Sequence, residues 1–129
     1  IILYMALGFV IALAVNTFMA FALHTDTPVV AVFSNSMVPT FYKGDMLIVQ
    51  APENIKVGDI IVFDSPTFNY PIIHRVIEVT EEGVRTKGDN NLAPDPWLTD
   101  FSKIHGKAVV KIPLLGWVKI IFYQILGLT

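Results

Sequence analysis

Apolar residues run together at the two ends of this chain and break into short bursts between them. Positions 1–23 are apolar apart from Asn16 and Thr17 and contain no Asp, Glu, Lys or Arg. At about 1.5 Å per helical residue, the run reaches roughly 35 Å, enough to cross a bilayer core with some tilt. It predicts a transmembrane anchor over 1–23. Ala20, Phe21 and Ala22 have the small-x-small form of a cleavage site, so a cleaved signal sequence is the competing reading. An apolar core longer than the usual span of about 7–15 residues favours a retained anchor. The run opens at Ile1 without an initiator Met or a flanking basic residue, and further residues are expected upstream.

From Thr27 the pattern changes to short β-type bursts at 28–33, 46–50, 60–63, 72–79, 83–86 and 108–112, separated by turn residues. The region 27–112 is therefore predicted to be a mostly β domain. Three Gly-Asp pairs, Gly44-Asp45, Gly58-Asp59 and Gly88-Asp89, mark turns, and the first two lead straight into apolar strands. Gly-Asp is thus a recurrent turn device here and by itself says little about chemistry. Loops are predicted over 64–71 and 89–100, the latter rich in Asn, Pro and Asp.

The stretch 113–129 is apolar again, with Lys119 as its sole charge. Its length is near the lower limit for a span, about 17 residues. A second membrane helix is the first expectation for it. An interfacial helix with Trp117 and Tyr123 at headgroup level comes second, and a packed terminal helix third.

Of the 129 residues, 53% are hydrophobic and 16% charged, an unusual excess of apolar character that agrees with a membrane contribution. Nine basic against eleven acidic residues leave a formal charge of −2, so no basic field favours nucleic acid or an anionic surface. With no cysteine, the chain has no disulfides, thiolate metal sites or Cys nucleophile. His24, His74 and His105 are scattered without ligand spacing, which argues against a structural metal; no cofactor is expected.

Three polar clusters could carry chemistry. The first is Phe33-Ser34-Asn35-Ser36-Met37-Val38-Pro39-Thr40. A serine becomes a nucleophile only with a nearby base and with donors for the oxyanion formed on attack. On residue type alone, Ser and Asn before Pro make a solvated turn. The second cluster is the strand 70–79, in which His74 interrupts an otherwise apolar face. Imidazole can accept a serine proton near neutral pH, although a lone strand His is more often a hydrogen-bonded structural residue. The third is 87–96, with carboxylates at Asp89 and Asp95 that could orient an imidazole. Pro94 and Pro96 restrict the backbone around Asp95. Alone, that segment reads as a polar surface loop.

The order of these segments is what distinguishes the chain. Ser-x-Ser-Met-x-Pro-Thr after an apolar helix is followed by Gly-Asp-Ile-Ile-Val-Phe, then Ile-His-Arg-Val, then Lys-Gly-Asp-Asn-Asn with a further Asp six residues on. The series resembles the signal peptidase I family over about 34–112, and specifically its archaeal and endoplasmic-reticulum branch, which has His before Arg-Val where the common bacterial enzymes have Lys. The resemblance implies a signal peptidase I-like β fold with Ser36 as nucleophile and His74 as general base. It further implies that Asp95 orients His74, that Asp89 supports the site from the neighbouring turn, and that the Ser34 hydroxyl joins the Ser36 amide in an oxyanion hole. Asn35 stands where many relatives have Gly; Asn tolerates left-handed backbone better than other side chains do. His24 and His105 match no motif and are expected to be structural.

The implied activity is that of a membrane-bound serine endopeptidase removing signal peptides from exported preproteins. Its domain would stand on the extracytoplasmic or lumenal side of the cell membrane or endoplasmic-reticulum membrane, with other membrane subunits or the export channel as further partners. Small residues at the first and third positions before the cut would fit shallow pockets, for which Phe33, Met37, Ile72 and Ile73 are the candidate walls. Two rivals predict differently. A non-catalytic membrane-tethered β-barrel adaptor would tolerate loss of Ser36, His74 and Asp95. A Ser-Lys self-cleaving peptidase of related fold needs a strand Lys near Ser36, whereas Lys56 and Lys87 both lie in turns.

Overall fold

The computed structural model of the chain describes residues 1–128. An apolar sequence without charge forms one uninterrupted helix, α1 (Ile2–Leu23), long and apolar enough to cross a membrane and with no residue buried against the rest of the protein. It ends at His24, which adopts left-handed backbone at φ 53° and returns its N–H to the last carbonyls.

Six strands follow: β1 (Val29–Ala31), β2 (Met46–Gln50), β3 (Ile60–Phe63), β4 (Ile72–Val79), β5 (Val84–Lys87) and β6 (Ile104–Ile112). They form one antiparallel sheet in the order β1-β2-β6-β3-β4-β5. The expected bounds of β2, β3 and β4 are the observed ones. β1 is shorter than the apolar burst 28–33, although Val32 still exchanges hydrogen bonds with the chain beyond it through its N–H to the Asp45 carbonyl and its carbonyl to the Gly44 N–H. β6 starts well before the expected 108. A single 3-10 turn (Phe101–Lys103), capped by the Asp100 carboxylate on the Ser102 N–H, feeds directly into it.

Alternation along the strands divides the core. Val62 and Ile73 face one side, packing with Val30, Val32, Met37, Phe41, Leu47 and Val49. Ile61, Phe63, Ile72 and Val76 face the other, with Val84 and Ile104. In a flat sheet β1 and β4 would lie roughly 19 Å apart, four spacings of about 4.8 Å. Their side chains nevertheless share the first cluster, so the sheet coils strongly on itself in the sense that twisted strands favour. That coiling brings the segment leaving β1 beside the start of β4.

The terminal apolar stretch forms α2 (Gly116–Ile125), which rests on β1 and β2 with Gly116 and Ile120 buried. Gly116 has to be glycine, because a Cβ there would lie 2.2 Å from the Asp45 carbonyl oxygen. The helix leaves Val118, Phe122 and Ile125 more than half exposed. Its single charge turns inward, where the Lys119 ammonium donates to the Val29 carbonyl and lies 5.6 Å over the Tyr123 ring.

Candidate active site

Three segments distant in sequence meet at the coiled edge of the sheet. Ser36 lies in the turn that follows β1, His74 is the third residue of β4, and Asp95 sits in the loop after β5. Alternation along β4 places His74 on the same side as Ile72 and Val76, with its ring edge-on to Phe63 at 6.2 Å. This burial leaves His74 only 5% exposed and Asp95 6% exposed, while Ser36 is half-buried and reaches the solvent cleft.

The geometry is a continuous relay. Nε2 of His74 lies 3.1 Å from Oγ of Ser36, and Nδ1 lies 2.6 Å from Oδ2 of Asp95. A neutral imidazole that donates its Nδ1–H to the carboxylate leaves Nε2 free to accept the serine proton. Asp95 is held at both its backbone and its side chain by one residue of β5. Its N–H donates to the Thr86 carbonyl at 2.8 Å, and the Thr86 hydroxyl donates to Oδ2 at 2.5 Å. Thr86 is wholly buried, so the pair is a fixed support for the ring. Sequence reasoning missed Thr86, because one Thr in a short β-type run gives no signal of where its hydroxyl points.

Ser34 stands beside Ser36, its Oγ 3.1 Å from that of Ser36 and 3.4 Å from the Ser36 amide nitrogen. A hydroxyl there and the Ser36 N–H can converge on one oxygen atom just outside Oγ. Asp89 is placed differently. Its carboxylate takes two bonds from Arg75, at 2.9 and 2.8 Å from Nε and Nη2, and one from the Thr40 hydroxyl at 2.6 Å. The structure brings Ser36, His74 and Asp95 together, with Ser34 alongside, and sets Asp89 against Arg75 and Thr40 and not against the imidazole. Arg75 bonding holds the Asp89 carboxyl below its ordinary range, helped by Thr40 and opposed by partial burial. The same bond raises the Arg75 guanidinium.

The cleft at this site has a volume of about 440 Å³. All four candidate wall residues, Phe33, Met37, Ile72 and Ile73, line it, joined by Phe68, Tyr70 and Trp97. Phe33 lies tilted against Tyr70 at 5.9 Å and stacks at 6.1 Å on Tyr123 of α2, so an aromatic row extends from the cleft to the terminal helix. Among the described residues no lysine lines the cleft; the Lys87 ammonium bonds the Gly88 carbonyl at 3.3 Å instead. No group of His, Asp or Glu suited to holding a metal ion occurs among the described residues.

Comparison with known proteins supplies the family. The model for signal peptidase, peptidase S26, matches residues 2–93, most of the chain and every element through β5. The chain belongs to the signal peptidase S26 family. Among curated relatives, the signal peptidase complex catalytic subunit sec11 of Dictyostelium discoideum is 34% identical over 113 residues, covering 78% of this chain and 63% of that one. The subunit of the same name from Colletotrichum graminicola is 37% identical over 114 residues, 78% of this chain and 66% of its own. That from Scheffersomyces stipitis is 32% identical over 114 residues, 78% and 69%. This S26 chain therefore spans about two-thirds of the length of the curated relatives it matches. Its family match includes Ser36, His74 and Asp89 and stops just short of Asp95, whose place beside His74 rests on the geometry.

Proposed function

We propose that this chain is the catalytic part of a signal peptidase that cuts signal peptides from exported preproteins, with Ser36 as nucleophile and His74 as general base. The observation that supports it is the Ser36 to His74 to Asp95 relay at 3.1 and 2.6 Å in an open cleft, in a member of a peptidase family.

In this reading a preprotein lies extended along the chain leaving β1. Small residues before the cut enter the cleft between Phe33, Met37 and Ile73, and backbone bonds set the register. Oγ of Ser36 attacks the scissile carbonyl carbon as its proton passes to Nε2 of His74. The carbonyl oxygen becomes an anion stabilised by the Ser36 N–H and the Ser34 hydroxyl. When the tetrahedral centre collapses, the C–N bond breaks, and His74 returns its proton to the departing amine. The acyl group is then on Ser36. Water, deprotonated by the same Nε2, attacks it and releases the signal peptide's carboxylate, and the proton restores Ser36. Throughout, Asp95 holds Nδ1–H and favours the imidazolium, while Asp89 braces the strand through Arg75.

The reading assigns 1–23 to a retained membrane anchor and 27–112 to the catalytic domain, with 113–129 as a further apolar segment at the bilayer. The catalytic domain stands on the extracytoplasmic or lumenal face, and the relatives' names as subunits of a signal peptidase complex support further membrane subunits as partners. The test is cleavage of a model preprotein by the purified chain in detergent, with Ser36→Ala beside it. The native chain should release the signal peptide at a single bond and the variant should not; cleavage that survives in Ser36→Ala refutes the assignment.

A further inference from the structure

We infer that Asn90 is a positioning residue for the oxyanion hole, acting through the peptide that joins Asn35 to Ser36; the inference rests on the reading of Ser36 as nucleophile. Asn90 belongs to neither the relay nor the hole, and it is exposed. Its amide Nδ2 donates to the Asn35 carbonyl at 3.1 Å, and its backbone N–H donates to the Ser36 carbonyl at 2.8 Å. One residue thus holds two consecutive carbonyls of the nucleophile turn, from a loop 55 positions away.

The consequence follows from the planarity of the peptide bond. The Asn35 carbonyl and the Ser36 N–H belong to one rigid plane and point in opposite directions. A donor that fixes the carbonyl also fixes the direction of the N–H, and this N–H is the backbone half of the hole. The turn does not fix that plane strongly by itself. Among the described residues the Asn35 carbonyl has one local donor, the Val38 N–H at 3.2 Å, and the Ser36 N–H meets only the Ser34 hydroxyl at 3.4 Å.

The other end of the clamp is equally anchored. Gly88 lies so close to the nucleophile turn that a Cβ would come within 2.7 Å of the Ser36 carbonyl oxygen. The Asp89 N–H points at the Met37 sulfur at 3.4 Å, and its carboxylate is gripped by Arg75 beside the base. The segment 88–90 therefore connects the backbone of the nucleophile to the strand that carries His74.

Because Asn90 would act through the Ser36 N–H, its loss should weaken transition-state stabilisation and leave ground-state binding alone. Preprotein cleavage in detergent is measured with the native chain, Ser36→Ala, Asn90→Ala, the similarly sized Asn90→Leu, Ser34→Ala and the Asn90→Ala/Ser34→Ala pair, alongside melting temperatures. Both Asn90 variants should lose roughly 10–100-fold in kcat, less than outright removal of a donor, with KM within about twofold. The paired variant should lose less than the product of its two single losses, since both residues serve one oxygen. A native kcat in either folded Asn90 variant, with Ser36→Ala inactive, overturns the inference alone. Strictly multiplicative losses, or a kcat loss matched by a KM rise and a fall in melting temperature, also overturn it in favour of a merely structural role. Cleavage by Ser36→Ala overturns the underlying reading and the inference with it.

Discussion

The two aspartates near His74 show how contact geometry separates residues that look equivalent in sequence. Asp95 touches the imidazole and Thr86, whereas Asp89 touches Arg75 and Thr40. Replacing Asp95 by Asn keeps the volume but lets an amide face Nδ1, which favours the wrong tautomer; losses for such a change reach about 10⁴-fold in turnover. Asp89→Asn breaks a partly exposed ion pair and should cost about 1 kcal/mol of stability with a smaller loss of turnover. Turnover and melting temperature of the two variants check this together, and a larger turnover loss in Asp89→Asn would move the orienting role to Asp89. The prolines on either side of Asp95 were the legible part of this arrangement. Thr86, Thr40 and Asn90 were not, because their contacts come from 9 to 55 positions away and nothing in their local sequence marks them.

At the scale of elements, strands with a clear apolar burst between turn residues were legible to the residue, as in Met46–Gln50 and Ile60–Phe63. The start of β6 was not, since His105 and Gly106 look like loop residues. Gly106 is in the strand because it presses against the Gln50 carbonyl, where a Cβ would meet the oxygen at 2.2 Å. His105 is there because it ties the exit of α1 to the sheet. Its Nδ1 lies 3.3 Å from Asp26 and its Nε2 lies 2.9 Å from Asp64 at the end of β3, while the Thr25 hydroxyl donates to its carbonyl at 2.8 Å. Burial alone would lower the pKa of this imidazole, but bonds to and charges on Asp64 and Asp26 outweigh it and raise it. A raised folded-state pKa means that the contribution to stability is complete below the ordinary imidazole range and fades as pH rises through the raised value. The melting-temperature gap between the native chain and His105→Ala should thus be wider at pH 6 than at pH 9. The difference should be small, under about 1 kcal/mol, because both carboxylates face solvent. A gap that stays constant or widens with pH contradicts this account of the tie.

Across the whole molecule, one long apolar helix leaves the sheet near the far end of β2, where the Ala51 N–H donates to the Leu23 carbonyl, and a short one covers the opposite end near Met46. Between them the sheet coils until Ser36, His74 and Asp95 face one cleft whose aromatic rim reaches α2. Coiling of this kind cannot be read from period-two alternation, which gives faces and not curvature; the order of motifs made the candidate site legible only through the family resemblance it carries. In the proposed mechanism this cleft runs on a serine activated by an imidazole. An imidazole base works only when neutral, so cleavage under subsaturating substrate should fall on the acid side along a single protonation. The direct measurement is that pH profile for the native chain, His74→Ala, Lys56→Ala and Lys87→Ala. The account predicts no cleavage by folded His74→Ala at any pH and an unchanged acid limb in both lysine variants. An active His74→Ala, or loss of activity with either lysine while the fold is retained, would contradict it.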